Sequence, residues 1–491
     1  MATISISLVS HTNAGKTTLA RTLLARDVGV IRDAPHVTEF ADMFLLAETP
    51  EGDRLELWDT PGFGDSARLA KRLRESANPL GWFLSTVWDR WRDRPFWASQ
   101  QALRNVRDEA DVMLYLVNAS EAPEAAGYVR PEMEILGWVD KPVIVLLNQL
   151  GAPREAALEE AEVGRWRAHL KSFAPVRAVL SLDAFARCWV QELTLLRAIE
   201  SVLPDGAPRD AMAGLRGVWL AQREQTFYTA MHSLAESLAR IAAAREVLND
   251  SRGLKARLRS VGAAVAQGMG LGKPEEAPAA LAQKALAESL DREVRENTLA
   301  LIRLHGLSGE AQGEILTRLA TSYETRLRLD ETKAAVWGGM VTGALVGLKA
   351  DLLSGGLTMG GGLLAGGLLG ALGAAGLARC VNLVRGTDRS WIAWNAEAMD
   401  QMVEAALLRY LAVAHFGRGR GDWAQGESPP HWIDVIDRAL APEREALEIV
   451  WAERGADEAE AGPIAQSLQP ILERAARAAL DQLYPGSLRV A

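Results

Sequence analysis

The stretch SHTNAGKTTL, residues 10–19, differs at one position from the phosphate-binding pattern G-x-x-x-x-G-K-[ST], because Ser10 stands where that pattern has glycine. A short β-type run, residues 4–9, precedes it, and residues 16–26 follow with helical spacing of leucines. A loop that leaves a strand and ends at a helix N-terminus can surround phosphate oxygens with backbone N–H groups. Serine adds only a small side chain, so we expect this phosphate loop, residues 10–17, to bind phosphate.

The residue types in the phosphate loop have separate expected roles. Gly15 allows the backbone to approach the phosphates, Lys16 reaches the β- and γ-phosphates, and the Thr17 hydroxyl binds Mg²⁺. We expect the nucleotide to contact the other residues of the loop and the start of the helix as well, namely Ser10, Asn13, Ala14 and Thr18.

A second segment, LELWDTPGFGD at residues 55–65, contains the phosphate-sensing loop, residues 59–65. Asp59 ends a β-type run, where it can hold Mg²⁺ through water, and the Gly62 N–H can sense the γ-phosphate. Between the two loops, Thr38 is either a switch threonine that closes over Mg²⁺ and phosphate or an ordinary threonine at a strand entry. A D-x-x-G motif at this distance from a phosphate loop strongly indicates a nucleotide site.

The rest of the first 205 residues alternates strand and helix patterns. A hairpin pattern over 41–58 is followed by apolar β runs, at 112–119, 141–151 and 176–183, with helical segments near 130–139 and 154–172. This alternation predicts an α/β domain over residues 1–205, with a mostly parallel sheet and helices on both faces.

The order of SHTNAGKTT, Thr38, DTPG, NQLG and SLD resembles the TrmE-Era-septin class of P-loop GTPases. More narrowly, the chain resembles an uncharacterised bacterial family in which such a domain is fused to a C-terminal domain of unknown function. The resemblance implies GTP or GDP as ligand, Mg²⁺ as cofactor and GTP hydrolysis. It implies catalytic roles for Lys16, Thr38 and Gly62, metal binding by Thr17, Thr38 and Asp59, and base contacts from Asn148, Gln149 and Ser181.

Two departures from that class bear on the chemistry. Gly151 replaces the aspartate of the base-reading pattern N-K-x-D, which removes a charge-assisted hydrogen bond, so the choice between guanine and adenine stays open. Phe63 stands where a glutamine orients the attacking water in other GTPases. An asparagine at the place of Asn13 accompanies K⁺ binding in the class, so we expect K⁺ as a further cofactor. The two departures also leave an alternative function, a nucleotide-binding scaffold with negligible hydrolysis.

Residues 66–107 form a long helical insertion that contains four tryptophans. Apolar residues recur at three- and four-residue spacing and predict one helix face, namely Leu80, Phe83, Leu84, Val87, Trp88 and Trp91. The insertion is either a helix packed on its own domain or, over 80–97, a protein-partner element that moves with the phosphate-sensing loop. An arginine from it that reaches the phosphates of a second copy would imply a homodimer.

After a proline-containing link near 204–210, helical patterns predict an all-helical domain over 209–491. Its Gly-rich segment 334–378 includes 27 uncharged residues, 352–378, which predicts an apolar helical hairpin. Glycines at every fourth position permit close packing either in a membrane or in a soluble helical core. The function predicted for the whole chain is a nucleotide-dependent switch, and a dynamin-like membrane-remodelling GTPase is the rival.

Composition narrows the partners and the compartment. A net charge of −9 predicts no nucleic-acid partner. The two cysteines, Cys188 and Cys380, cannot form a disulfide framework, and the N-terminal residues lack the pattern of a secretion signal. We therefore expect a cytoplasmic protein, peripheral to or inserted in the inner membrane if 334–378 contacts lipid.

Overall fold

The computed structural model describes residues 1–24, 41–75, 78–86, 93–149, 156–182, 188–248, 278–307, 381–385, 390–416, 430–454 and 460–488. Three features predicted above lie outside these residues: Thr38, Gly151 and the segment 334–378.

A six-stranded sheet organises the N-terminal part of the chain. Its strands are β1 (Thr3–Ser10), β2 (Asp42–Glu48), β3 (Arg54–Asp59), β4 (Val112–Asn118), β5 (Val143–Asn148) and β6 (Val176–Ser181). They lie in the order β2-β3-β1-β4-β5-β6, and only the β2–β3 pair is antiparallel. The apolar runs of β4 and β5 are buried almost throughout, as expected for central strands of a parallel sheet. The mostly parallel α/β fold is confirmed.

Helices connect these strands. In chain order they are α1 (Lys16–Leu24), α2 (Ser66–Arg74), α3 (Pro79–Ser85), α4 (Arg94–Asp108), α5 (Val129–Gly137), α6 (Ala156–Leu170) and α7 (Trp189–Val202). Because parallel strands end at one edge, the sheet register brings their last residues together. Leu8 pairs with Asp59, Asn118 with Asn148, and Leu147 with Ser181.

The described part of the insertion contains three helices, α2, α3 and α4, and the apolar face predicted over 80–91 is not one continuous helix. Helix α3 ends at Ser85, and the β-branched Thr86 is already extended, with ψ of 134°. The predicted continuation through Trp88 and Trp91 lies partly in residues 87–92, outside the described part. Phe83 of α3 and Phe96 of α4 are buried in the hydrophobic core beneath the sheet. The described part of the insertion therefore packs on its own domain, and a partner role for 80–97 stays a prediction.

The C-terminal half is mainly helical, as predicted. Its helices are α8 (Ala207–Ala243), α9 (Pro278–Leu304), α10 (Ala396–Ala414), α11 (Pro430–Leu440), α12 (Arg444–Ala452) and α13 (Ala461–Leu483), with a 3₁₀ turn at Ala441–Glu443. The sequence prediction omitted a small antiparallel sheet of β7 (Glu246–Leu248), β8 (Val381–Arg385) and β9 (Ser390–Trp394), in the order β7-β9-β8. Strands of three to five residues are too short for a periodicity window to distinguish from helix.

The chain divides into two compact units. The first contains Met1–Phe227 with the described residues of 414–425 and 480–491, and the second contains the described residues of 228–413 and 426–479. The predicted domain limits, 1–205 and 209–491, stay a prediction. Among the described helices, none has the length and apolar character that crossing a bilayer requires.

Candidate nucleotide-binding site

The phosphate loop turns tightly between β1 and α1. Asn13 and Gly15 adopt left-handed conformations, with φ of 65° and 91°, which turn successive N–H groups inward. A Cβ on Gly15 would lie 2.6 Å from Nδ2 of Asn148, so only glycine fits there. The same Nδ2 donates a hydrogen bond to the Ala14 carbonyl, 2.8 Å away. The end of β5 thus fixes the shape of the loop.

Ser10 contacts the lysine on which the site depends. Lys16 is only 6% exposed, and its Nζ donates to the Ser10 Oγ at 2.9 Å, while this hydroxyl donates to the His11 carbonyl at 2.5 Å. Burial lowers the Lys16 pKa to about 8, although the charges of Asp59 and Glu132 oppose the shift. The residue that departs from the usual motif therefore supplies an acceptor for the lysine in the absence of nucleotide.

Asp59 and Thr17 form the candidate metal centre. The Thr17 hydroxyl donates to Oδ2 of Asp59 at 2.6 Å, while Oδ1 of Asp59 is buried and has no hydrogen-bond partner among the described residues. Burial raises the Asp59 pKa to about 6, against the effects of the Thr17 bond and the Lys16 charge. A buried carboxylate oxygen without a partner, next to a hydroxyl, suits a hard cation such as Mg²⁺. The described residues thus fit the metal that the motif implies.

The phosphate-sensing loop lies directly against the phosphate loop. The Phe63 N–H donates to the Ser10 carbonyl at 2.9 Å, and the Thr12 N–H donates to the Phe63 carbonyl at 3.1 Å. A Cβ on Gly62 would lie 2.9 Å from Cα of Thr12 and 3.1 Å from Nζ of Lys16. The Phe63 side chain is fully buried in the core, so it packs the loop and cannot orient water.

The sequence reasoning missed a buried network behind the phosphate loop. Glu132 is fully buried; its Oε1 lies 2.7 Å from Nδ1 of His11, and its Oε2 accepts from the Tyr115 hydroxyl at 2.6 Å. The His11 ring stacks on Tyr128 at 4.8 Å between centroids. The available signal was a glutamate between Val129 and Met133 on the apolar face of α5.

The residues expected at the base lie at the ends of β5 and β6. Asn148 is fully buried and bound to the phosphate loop, and Gln149 has φ of 59°. Within the part of the chain that the structure describes, the buried Ser181 hydroxyl has no hydrogen-bond partner. The structure therefore collects the described candidates at one sheet edge, namely Ser10, Asn13, Ala14, Gly15, Lys16, Thr17, Thr18, Asp59, Gly62, Asn148, Gln149 and Ser181.

Comparison with known proteins agrees with this geometry. Residues 5–149 match the family described as 50S ribosome-binding GTPase, and residues 325–483 match a domain of unknown function, DUF3482. The chain is 26% identical to GTPase Era of Carboxydothermus hydrogenoformans over 204 residues, 41% of this chain and 56% of that protein. It is 26% identical to GTPase Era of Heliobacterium modesticaldum over 156 residues, 32% of this chain and 42% of that protein. The chain thus spans about half the length of these curated relatives.

Among solved structures, Era in complex with MgGDPNP and nucleotides 1506–1542 of 16S ribosomal RNA is similar. The identity is 19%, the coverage is 42% of this chain and 59% of that chain, and the TM-score is 0.30. The expectation that no nucleic acid would be a partner is wrong in view of this RNA complex and the ribosome-binding family description. It was drawn from net charge, which sums over the whole chain and conceals local surfaces. The resemblance drawn from the sequence is confirmed: the chain joins a GTPase domain with Era-like relatives to a C-terminal domain of unknown function.

Proposed function

We propose that the N-terminal domain binds GTP with Mg²⁺, hydrolyses it, and acts as a nucleotide-dependent switch. The observation that carries this proposal is the arrangement of Lys16 and Asp59 around the phosphate loop. Lys16 is buried beside an exchangeable hydroxyl acceptor, and one buried oxygen of Asp59 finds no partner in the described ranges of the chain. Burial disfavours the charged form of both side chains, and a bound phosphate at Lys16 and a metal ion at Asp59 would offset this cost.

Each residue then has a defined task. The Lys16 ammonium leaves the Ser10 hydroxyl and contacts the β- and γ-phosphates, while the inward N–H groups of the phosphate loop bind phosphate oxygens. Thr17 and Asp59 would hold Mg²⁺, and the ion would supply positive charge next to the phosphates. The Gly62 N–H would sense the γ-phosphate; a metal-ligand role for Thr38, which lies outside the described residues, stays a prediction.

Hydrolysis requires a group that places water, because the buried Phe63 side chain cannot. We propose that Asn13 would hold K⁺, which would supply positive charge near the transferring phosphoryl group. Asn13 has the left-handed φ of 65°, which places it at the tight turn of the phosphate loop. Turnover in K⁺ buffer should exceed turnover in Na⁺ buffer, and equal rates would remove this role.

The base site favours guanine through Asn148, Gln149 and Ser181. The unpartnered Ser181 hydroxyl offers a donor and an acceptor near the end of β5. We propose that the switch acts on a ribosomal partner, since the family matching residues 5–149 is described as ribosome-binding. A homodimer and a membrane contact through 334–378 stay predictions, as does the dynamin-like alternative.

Calorimetry of the full chain with GTP, GDP and ATP in Mg²⁺ buffer tests the proposal. We expect the wild type to bind both guanine nucleotides more tightly than ATP. Lys16→Ala should abolish binding, while Lys171→Ala, which removes an exposed lysine outside the site, should bind as the wild type does. Wild-type protein that binds none of the three nucleotides would refute the proposed function, and binding without phosphate release would leave the scaffold alternative.

A further inference from the structure

The insertion carries a charge opposite to that of the whole chain. Residues 66–107 contain nine arginine or lysine residues and three acidic ones, a net charge of +6, in a chain whose net charge is −9. A basic segment in an acidic protein is an electrostatic footprint for a polyanion. The exposed basic residues of this segment are therefore candidates for binding a polyanion.

Helix α2 divides into two faces. Ser66, Leu69, Ala70 and Leu73 are buried against the domain. Arg68 and Lys71 are exposed and Arg72 is half-buried on the other face, at positions that a helix brings together. Helix α2 has no acidic residue. We name the group Arg68, Lys71 and Arg72 the basic face.

The arginines of the basic face are held in place by an aromatic ring. The guanidinium carbons of Arg68 and Arg72 each lie 5.1 Å from the centroid of the Phe96 ring, which belongs to α4. A guanidinium held over a ring has fewer accessible rotamers, so it loses less side-chain entropy when it binds a further partner. These two side chains are thus organised for contact with phosphate oxygens.

The charged neighbours of the basic face differ from residue to residue. Arg74, the remaining arginine of α2, forms a bidentate ion pair with Glu134 of α5 and is therefore not part of the basic face. Lys71 makes no ion pair within the parts of the chain that the structure describes. Glu75, just beyond the helix, is exposed and is already counted in the net charge of the insertion.

We propose that the basic face of α2 binds the phosphate backbone of RNA. Its charge and its planar donors suit phosphates spaced along a chain. An anionic membrane fits less well, since an interfacial helix needs an exposed apolar face and α2 buries its apolar residues in the domain core. The site of RNA contact is therefore a helix of the GTPase domain itself.

The position of α2 makes this contact sensitive to nucleotide, a step that rests on the proposed function. The helix begins one residue after the phosphate-sensing loop, and the side chain of Asp65, the last loop residue, caps it by accepting from the Arg68 N–H at 3.1 Å. Movement of Gly62 toward a γ-phosphate would displace the cap and the basic face together. RNA affinity should accordingly differ between the GTP-analogue and GDP forms.

The test measures binding of a fluorescent 30-nucleotide RNA to the full chain by anisotropy, over a series of salt concentrations. The patch variant carries Arg68→Gln, Lys71→Gln and Arg72→Gln. The control variant carries Lys171→Gln, Arg177→Gln and Arg303→Gln, which removes three exposed charges elsewhere. We expect the patch variant to bind RNA on the order of tenfold more weakly, with a slope of log affinity against log salt shallower by about 2. The control should retain the wild-type slope.

Further measurements separate the alternatives. Lys71→Glu reverses a charge without touching the Phe96 contact, so it should weaken RNA binding while the melting temperature stays unchanged. Equal loss in patch and control variants would overturn the proposal, as would binding to phosphatidylserine vesicles with none to RNA. RNA binding is measured first without nucleotide, and GTP affinity is measured on the same variants. A wild type that binds RNA but not GTP thus refutes the proposed function and leaves the basic face standing.

Discussion

Ser10 shows how one residue departs from a motif yet fits its chemistry. Its hydroxyl accepts from the buried Lys16 ammonium at 2.9 Å. A charged donor in a buried site requires such an acceptor. The hydroxyl therefore competes with the phosphates for the lysine.

We predict that Ser10→Ala tightens GTP binding by about fivefold, since the loss of a competing hydrogen bond of about 1 kcal/mol favours the bound state. The nucleotide-free variant should melt at a lower temperature for the same reason. Calorimetry and thermal denaturation check both effects. Ser237→Ala, which removes a buried hydroxyl of α8 in the second compact unit, is the control and should not tighten binding. Weaker GTP binding by Ser10→Ala would contradict the competition.

Asp59 is the second residue whose burial bears on stability. Its folded-state pKa of about 6 exceeds the usual 3.8, so the folded state binds this proton more tightly than the unfolded state does. The free energy of unfolding should therefore fall as pH rises from about 4 to about 6, and the cost is fully present above pH 6. The cost amounts to at most about 3 kcal/mol.

We predict that Asp59→Asn raises the stability of the nucleotide-free protein at pH 7.5 while abolishing Mg²⁺-dependent stabilisation. The amide avoids the buried charge but cannot serve as the metal's anionic ligand. Urea denaturation at pH 4.5 and pH 7.5, with and without Mg²⁺, is the measurement. The gain over the wild type should grow with pH; a variant less stable than the wild type at pH 7.5 would show that the carboxylate stabilises the fold.

At the scale of elements, the close approach of α4 to the phosphate-sensing loop depends on a glycine. A Cβ on Gly64 would lie 2.4 Å from Cβ and 2.7 Å from Cα of Pro95, in the first turn of α4. The Gly64 N–H also donates to the Ser99 hydroxyl at 3.2 Å. Because the Gly64 backbone and the rigid ring of Pro95 form this contact, no flexible side chain can move aside for an added methyl group.

Gly64→Ala should destabilise the domain by about 1–3 kcal/mol, the usual cost of overpacking. Gly164→Ala, in the middle of α6 with open space around the added methyl group, should instead stabilise by up to about 1 kcal/mol. Urea denaturation midpoints of the two variants, each compared with the wild type, measure both effects. Equal midpoints would mean that α4 does not hold the phosphate-sensing loop.

Elements differ in how far sequence could predict them. The strands of the large sheet are runs of six to eight residues bounded by turn signals, so β1, β3, β4, β5 and β6 were predictable. The helix through residues 80–91 was not, because apolar spacing continues past Thr86 although the backbone becomes extended there. Periodicity reports which residues become buried, and several backbone paths can bury the same set.

At the scale of the whole molecule, net charge proved a misleading guide to partners. The chain is acidic in sum, yet residues 66–107 are strongly basic, and electrostatic recognition depends on the local surface. A helix with such a face beside the phosphate-sensing loop joins two proposed ligands, GTP and RNA. If both ligands bind, thermodynamic linkage relates their affinities to each other.

If RNA and a GTP analogue both act through α2, each must change the affinity of the other by the same factor. We predict this reciprocity within error for the wild type, measured by anisotropy for RNA and by calorimetry for the nucleotide. Lys71→Glu should reduce RNA affinity and leave analogue affinity without RNA unchanged. Unequal factors would indicate binding at more than one site, and factors of one would show that the two ligands act independently.

Sequence by itself determined the phosphate loop, the phosphate-sensing loop and the alternation of strands and helices, since each depends on neighbouring residues and their backbone preferences. Only the tertiary structure decided what those residues contact. Ser10 holds Lys16, Glu132 reaches His11 across 121 positions, and Phe96 organises Arg68 and Arg72. Such contacts join residues that are far apart in the sequence, so no local pattern in the chain reveals them. The pKa shifts follow from burial, which is likewise created by folding.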